Sequence, residues 1–157
     1  MARALIVGCG CRGRTLGERL LADGWAVRGT SRGAGLAAIA DAGIEAVEAD
    51  PDLLGSVTDL IGDVAVLAWL MGAAGAEVNG SRFESLLEKL VDSPVRALLF
   101  EACGGPGADA AILEAGAAKA EAWGERFRVP VAVLRADPGD PGTWVEAARS
   151  ALLDLIR

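Results

Sequence analysis

The sequence of 157 residues contains no histidine and no tyrosine, and aromatic residues make up only 4% of it. Without histidine the chain has no imidazole to ligate a metal, to act as a base or to activate a serine or cysteine nucleophile. Without tyrosine it has no phenol to donate a proton. Any acid–base chemistry must therefore use carboxylates, lysine, cysteine or water.

Cysteine is also scarce, with single residues at Cys9, Cys11 and Cys103. This odd number matches no disulfide framework, zinc ribbon or CxxC redox pair, and without histidine we expect no metal site. No apolar run reaches the roughly 18 residues that span a bilayer, and the apolar run at the N-terminus lacks the pattern of a cleaved leader. We therefore expect a cytoplasmic protein with no membrane partner.

Basic residues are unevenly distributed along the chain. The net charge is −7, which argues against a nucleic-acid partner because such a partner requires a basic face. Yet residues 1–32 contain six arginines and only two acidic residues. This local positive charge indicates that the N-terminal segment meets an anion.

The same segment contains a strand pattern, Ala4–Val7, that leads directly into closely spaced glycines and then into leucines at helical spacing. This strand–turn–helix pattern is typical of a dinucleotide-binding turn. Gly8 would allow the tight turn, Gly10 the approach of the backbone to a pyrophosphate, and Gly13 the packing of the helix on the sheet. The residues assigned to this loop are Gly8, Gly10, Cys11, Arg12 and Gly13. The alternative is an ordinary glycine-rich turn without a ligand.

Six β-rich runs alternate with helical patterns, which favours a parallel sheet covered by helices on both faces. The predicted strands are Ala4–Val7, Ala26–Gly29, Glu45–Val47, Val64–Leu70, Arg96–Phe100 and Val131–Leu134. Right-handed crossovers and one reversal give a doubly wound α/β Rossmann fold with strand order 3-2-1-4-5-6. We expect a single domain over residues 1–157, without a separate substrate domain. Trp69 and Leu70, at the end of the fourth strand, should line the ligand crevice.

Three sequence patterns predict helix N-termini. Ser81 with Glu84, and Thr143 with Glu146, each match a capping box. Asp50 before Pro51 predicts an N-cap followed by the first helical residue. Because Asp50 also follows the third strand, it could accept a hydrogen bond from an adenine amino group, and the two roles are compatible.

The end of the second strand indicates which dinucleotide would bind. An NAD site has an acidic residue here that binds the ribose hydroxyls, but this chain has Thr30, Ser31 and Arg32. Hydroxyl groups and a guanidinium can bind a 2′-phosphate, which a carboxylate would repel. The sequence therefore favours NADP over NAD. The alternative is a polar turn with an exposed arginine.

With the later stretches Ala115–Lys119 and Val131–Arg135, these motifs resemble the short-chain dehydrogenase/reductase superfamily, in its atypical and extended branch of epimerase-like and NmrA-like proteins. The resemblance implies a Tyr-x-x-x-Lys pair on the fifth helix and a serine after the fifth strand. Lys119 matches the lysine, which in the family holds the nicotinamide ribose. Ala115 stands at the tyrosine position and Glu101-Ala102-Cys103 at the serine position, so the family's catalytic acid is missing.

Lys119, Glu101 and Cys103 are the candidate catalytic groups. No carboxylate lies three or four residues from Lys119, so we expect it to face the cleft, the alternative being a lysine that extends to solvent. Glu101 would act as a base if a buried position raised its pKa, although an exposed loop glutamate is the simpler interpretation. Cys103 is either a thiol near the nicotinamide or a small buried hydrophobic residue.

Three functions remain open. The first is an NADP(H)-binding module that binds or senses its cofactor without catalysis. The second is an NADP-dependent oxidoreductase or epimerase-like enzyme that acts on a small molecule with non-standard acid–base residues, with a homodimer as one way to close the cleft. The third is an interaction scaffold that has lost nucleotide binding.

Overall fold

The computed structural model describes residues 2–157 and contains one six-stranded parallel sheet with the order β3-β2-β1-β4-β5-β6. The strands are β1 Arg3–Val7, β2 Ala26–Ser31, β3 Glu45–Glu48, β4 Val66–Trp69, β5 Ala97–Glu101 and β6 Val131–Leu134. The helices are α1 Cys11–Ala22, α2 Leu36–Asp41, α3 Leu54–Thr58, α4 Phe83–Leu90, α5 Ala110–Phe127 and α6 Pro141–Leu155. The predicted doubly wound Rossmann fold and its strand order are confirmed.

The alternation of side chains along each strand divides the core into two clusters. Leu5 and Val7 of β1 point to the face that α3, α4 and α5 cover, where Phe83 and Trp123 pack. Ala4 and Ile6 point to the opposite face, which α1, α2 and α6 cover. Burial on both faces explains why the central strands are continuously apolar.

The strand order reverses between β1 and β4, and their ends are aligned. Val7 pairs with Trp69, and on the other side Ile6 pairs with Gly29 of β2. The loops after β1, β2 and β4 therefore leave the sheet at the same edge. This edge is where ligands bind in doubly wound sheets.

All three predicted helix starts are wrong, the first two at α4 and α6. Ser81 is not an N-cap, because a π-helical turn, Val78–Arg82, already runs into α4 before the predicted start. Helix α6 begins earlier than its capping-box pattern predicted. Asp140 is its N-cap and accepts a hydrogen bond from the Thr143 N–H, and Pro141 is its first residue.

Asp50 caps a turn instead of a helix. Its Oδ1 accepts a hydrogen bond from the Asp52 N–H at 3.0 Å, and α3 begins only at Leu54. The predicted helix start at Pro51 is therefore wrong by several residues.

Within residues 2–157, none of the helices combines the length and the apolar character needed to cross a membrane.

Candidate functional site

The glycine loop after β1 is held between the ends of β2 and β4. Gly8 has a φ of 85°, and a Cβ there would lie 2.5 Å from the Leu70 carbonyl oxygen, so only glycine fits. The Gly8 N–H donates to Thr30 Oγ1 at 3.2 Å, and the Cys9 N–H donates to the Thr30 carbonyl at 3.0 Å. These bonds fix the direction in which the loop leaves the sheet.

The two later glycines have different surroundings. A Cβ on Gly13 would lie 3.3 Å from the Gly8 carbonyl oxygen, so this glycine allows α1 to pack tightly on the loop. A Cβ on Gly10 would have no atom within 4 Å. The backbone at Gly10 therefore faces open space, where a ligand can approach it.

The N-terminus of α1 is not capped by a side chain from any residue of 2–157, and its first turn contains no acidic residue. The first hydrogen bond of the helix runs from the Arg14 N–H to the Gly10 carbonyl. The preceding N–H groups of the helix therefore have no acceptor within it. A helix start of this kind attracts an anion through its free N–H groups and its dipole.

A cavity of about 290 Å³ opens beside this loop, at the ends of β2 and β3 and under the segment that follows β4. Several residues assigned to the cofactor from the sequence line it: Gly8, Gly10, Thr30, Ser31, Arg32 and Leu70. Arg14, which was not assigned to the site, also lines it. Its position one helical turn after Gly10 could have indicated from the sequence that Arg14 lies beside the glycine loop.

Arg14 and Arg32 give this cavity its charge. Neither forms an ion pair with any residue in the described part of the chain, whereas Arg28 binds both Glu45 and Asp63. Among the described residues that line the cavity, none is acidic. The cavity is therefore a positively charged site in a chain of net charge −7.

Thr30 and Ser31 line the cavity, but both hydroxyl groups are already used to shape the backbone. Thr30 is 1% exposed and accepts from the Gly8 N–H. Ser31 Oγ accepts from the N–H groups of Gly33 and Gly35, at 3.3 and 3.1 Å. Each hydroxyl retains its own proton, which it can donate to a ligand.

Cys9 and Cys11 differ in environment. Cys9 is buried behind the loop, and burial raises the pKa of its thiol to about 11 although Arg14 opposes this change. It therefore stays protonated and acts as a small apolar residue. Cys11 is exposed at the first position of α1.

Trp69 does not line the cavity, contrary to our expectation. It is fully buried on the face of the sheet that α3, α4 and α5 cover, where its ring centre lies 5.3 Å from that of Phe83. Its Nε1–H donates to Asn79 Oδ1 at 3.0 Å. Asp50 does not line the cavity either, although its neighbours Ala49 and Pro51 do.

Asn79 is a buried residue that sequence analysis missed. Its Nδ2 donates to the carbonyl groups of Met71 and Ala74, at 2.8 and 3.2 Å. It thereby holds the segment after β4 in the position that forms one wall of the cavity. No sequence pattern signals this role, since an asparagine in a glycine-rich segment is typical of an exposed loop.

Glu101 is buried, so its interpretation as an exposed loop residue is wrong. It is 1% exposed because β5 continues through it, and Oε1 accepts from the Gly72 N–H at 2.9 Å. Oε2 accepts from Arg12 at 3.4 Å. Burial raises the pKa of the Glu101 carboxyl above its ordinary value, although the Gly72 N–H and Arg12 oppose this change.

Lys119 does not face the cavity. Its Nζ pairs with Glu84 Oε1 at 2.8 Å, and both side chains are partly exposed where α5 lies beside α4. Sequence spacing missed this partner because it belongs to another helix. Ala115 is exposed on α5, and Cys103 is partly exposed with its carbonyl oxygen beside Gly72. The three candidate catalytic groups are therefore not gathered at the cavity.

The residues in 2–157 include no group of three or more histidine, cysteine, aspartate or glutamate side chains that could hold a metal ion.

No protein-family model and no curated protein matches this chain, but solved structures share its fold. The UDP-N-acetylglucosamine 4-epimerase from Bacillus cereus is 13% identical with a TM-score of 0.75, and the match covers 100% of this chain and 74% of that one. A putative short-chain dehydrogenase/reductase from Corynebacterium glutamicum is 20% identical with a TM-score of 0.70, covering 93% and 89%.

The UDP-glucose 4-epimerase from Thermus thermophilus, solved in complex with NAD, is 20% identical with a TM-score of 0.70, and the match covers 89% of this chain and 59% of that one. The chain spans about half the length of two other epimerases that it matches, 55% and 54%. At these identities the likeness shows the fold. It is the Rossmann fold, as the sequence motifs predicted, and this chain shares it with the epimerases and the putative short-chain dehydrogenase/reductase named above.

Proposed function

We propose that this chain is an NADP(H)-binding protein that acts as a cofactor-binding or sensing module without catalysing hydride transfer. One observation carries the proposal: Arg14 and Arg32 both line the glycine-loop cavity, and neither has a carboxylate partner among residues 2–157. Arginines that carry an uncompensated charge into a cavity are suited to bind a phosphate through their planar guanidinium groups.

The residues of the cavity fit the adenosine half of NADP. The pyrophosphate would approach the Gly10 backbone and the N-terminus of α1. The adenine ring would contact the apolar wall that includes Pro51 and Leu70. The 2′-phosphate would be bound by Arg14 and Arg32, with Ser31 as a further donor. The Thermus thermophilus epimerase of the same fold was solved with NAD, which supports a dinucleotide as the ligand class.

The absence of catalysis rests on the surroundings of the candidate groups. NADP(H), when bound, supplies a hydride donor or acceptor, and a carbonyl substrate also needs a proton donor. Ala115 carries only a methyl group, and Lys119 is held by Glu84. Glu101 is enclosed by Gly72 and Arg12 and does not line the cavity.

Calorimetric titration tests the proposal. NADPH is expected to bind one equivalent per chain, with NADH about tenfold weaker or more because it lacks the 2′-phosphate, a difference of about 1.4 kcal/mol. Equal affinities would refute recognition of the phosphate. If neither nucleotide binds, the chain is the scaffold of the third hypothesis.

The raised pKa of Glu101 favours the second candidate function, an NADP-dependent oxidoreductase or epimerase-like enzyme, because perturbed carboxyl groups cluster in active sites. NADPH oxidation against a panel of small carbonyl compounds distinguishes the two functions. We expect no rate above that of NADPH without protein. A rate that is lost in Glu101→Gln would establish the enzyme and identify its proton donor.

A further inference from the structure

A doubly wound sheet binds a dinucleotide across two half-sites, one on each side of the point where the strand order reverses. The adenosine side lies over β1, β2 and β3, and the nicotinamide side over β4, β5 and β6. The 290 Å³ cavity belongs to the adenosine side. Its volume lies near the lower end of the range for ligand sites, which is about 300–1,000 Å³.

On the nicotinamide side, the loops after β4 and β5 are in direct backbone contact. A Cβ on Gly72 would lie 3.0 Å from Gly104 Cα and 3.1 Å from the Cys103 carbonyl oxygen. A Cβ on Gly104 would overlap the Gly72 carbonyl group. The two glycines therefore allow the loops to meet at the edge of the sheet where a second nucleotide would otherwise enter.

The side chains behind this contact join four parts of the fold. Glu101 at the end of β5 accepts hydrogen bonds from the Gly72 N–H and from Arg12 of α1. The Arg12 guanidinium lies 5.2 Å from the ring centre of Trp144 on α6. Opening this pair is costly on one side, because Glu101 is buried and would lose a hydrogen-bond partner, whereas the Arg12 side chain is already partly exposed.

Only a small cavity remains between the glycine loop and Trp144. It measures about 70 Å³ and is lined by Gly10, Arg12 and Trp144 among others. Arg12 Nε is buried there without a hydrogen-bond partner in residues 2–157. This space is large enough for a phosphate group and too small for a nicotinamide and its ribose.

We infer that the chain recognises the 2′-phosphoadenosine half of NADP(H) alone and leaves the nicotinamide half in solvent. Adenosine 2′,5′-bisphosphate is then a sufficient ligand. This inference rests on the proposed function and narrows it. The open adenosine side supplies the contacts with the 2′-phosphoadenosine half. The second nucleotide is excluded by the contact of Gly72 with Gly104 and by the pair of Arg12 with Glu101.

Calorimetry with the full chain separates the inference from the proposed function. Adenosine 2′,5′-bisphosphate is expected to bind within about threefold of NADPH, and nicotinamide mononucleotide is expected not to bind. NADPH binding more than about tenfold tighter than the bisphosphate, a gain of about 1.4 kcal/mol, would overturn the inference while leaving NADP(H) binding intact. If neither ligand binds, both the inference and the proposed function are wrong.

The fluorescence of the reduced nicotinamide gives a second readout that does not depend on affinity. At saturation with protein, the emission of NADPH should keep the position and intensity of the free nucleotide in water, because the ring remains solvated. A blue shift with increased intensity would show a buried ring and would overturn the inference.

A variant at Arg32 and a control variant at Arg96 test whether NADPH and the bisphosphate use the same contacts. Arg32→Asp should weaken NADPH and the bisphosphate by the same factor, because both ligands use the same contacts. Arg96→Asp makes the same change of charge at an exposed residue before β5, remote from the cavity, and should leave both affinities unchanged. A loss confined to the bisphosphate would overturn the inference, because NADPH would then be held by contacts to its nicotinamide half.

Discussion

The two sides of the sheet use arginine in opposite ways. On the adenosine side, Arg14 and Arg32 line an open cavity and form no ion pair within the described residues. On the nicotinamide side, Arg12 pairs with the buried Glu101 and lies 5.2 Å from the ring centre of Trp144. The comparison teaches that arginines within the first 32 residues differ in whether a carboxylate compensates their charge, and we infer that this difference decides which side of the sheet receives a nucleotide.

The largest effect is expected from a pair of glycine variants. Gly8→Val should cost about 3 kcal/mol or more of unfolding free energy, because valine would adopt a positive φ and contact the Leu70 carbonyl. Gly10→Val should fold with nearly unchanged stability, since a Cβ there meets no atom within 4 Å, but it should lose NADPH binding. Urea denaturation and calorimetry measure the two effects.

The contrast between these two variants locates the ligand. A folded Gly10→Val protein that still binds NADPH would show that the Gly10 backbone does not face the pyrophosphate. A stable Gly8→Val protein would show that the loop has another conformation.

The next largest effect is a loss of NADPH affinity in variants of the adenosine side. Arg32→Asp should lose about 1.5–3 kcal/mol of NADPH affinity, the range for hydrogen bonds to a charged group, while NADH affinity stays level or improves. Arg14→Gln should also lose NADPH affinity, but less than Arg32→Asp does, because it removes a positive charge without introducing a negative one. Calorimetry measures both variants, and an equal loss for NADH would contradict the assignment to the 2′-phosphate.

On the nicotinamide side, we expect the contribution of Glu101 to stability to depend on pH. Because burial raises the pKa of Glu101, the folded chain binds the proton more tightly than the unfolded chain. The contribution of Glu101 to stability is therefore greatest below the ordinary pKa of 4.5 and decreases as the pH rises through the folded pKa. Glu101→Gln lacks this titration, so its stability relative to the wild type should increase with pH above 4.5.

Urea unfolding of the two proteins across this pH range measures the difference. A stability difference that does not change with pH would mean that the carboxyl has the same pKa in the folded and unfolded chains. A difference that changes in the opposite direction would mean that Arg12 outweighs burial.

The smallest effect is expected at Lys119. Its ion pair with Glu84 is partly exposed, and pairs of this kind contribute about 0–1 kcal/mol. Lys119→Ala should therefore change unfolding free energy by about 0.5 kcal/mol or less and leave NADPH affinity unchanged, as should Glu84→Gln. A loss of NADPH affinity in Lys119→Ala alone would instead place this lysine at the nicotinamide ribose.

The sequence predicted the features that depend on local pattern. Alternating strand and helix patterns predicted the strand order, and the residues after β2 placed Arg32 at the cavity. It could not predict pairs that form between distant elements. The partners of Glu101 and Lys119 are distant in the sequence. Asn79 donates a hydrogen bond to the loop after β4, whose sequence shows neither helical nor strand periodicity. These tertiary contacts decide which candidate catalytic groups are accessible.

The central claim is that the adenosine half-site is open and the nicotinamide half-site is closed, and a crystal structure with NADPH tests it most directly. The account predicts the 2′-phosphate within hydrogen-bond distance of Arg32 or Arg14, an unbroken ion pair between Arg12 and Glu101, and a nicotinamide ring in solvent. A nicotinamide ring inserted between the loops after β4 and β5, with Arg12 and Glu101 separated, would contradict it.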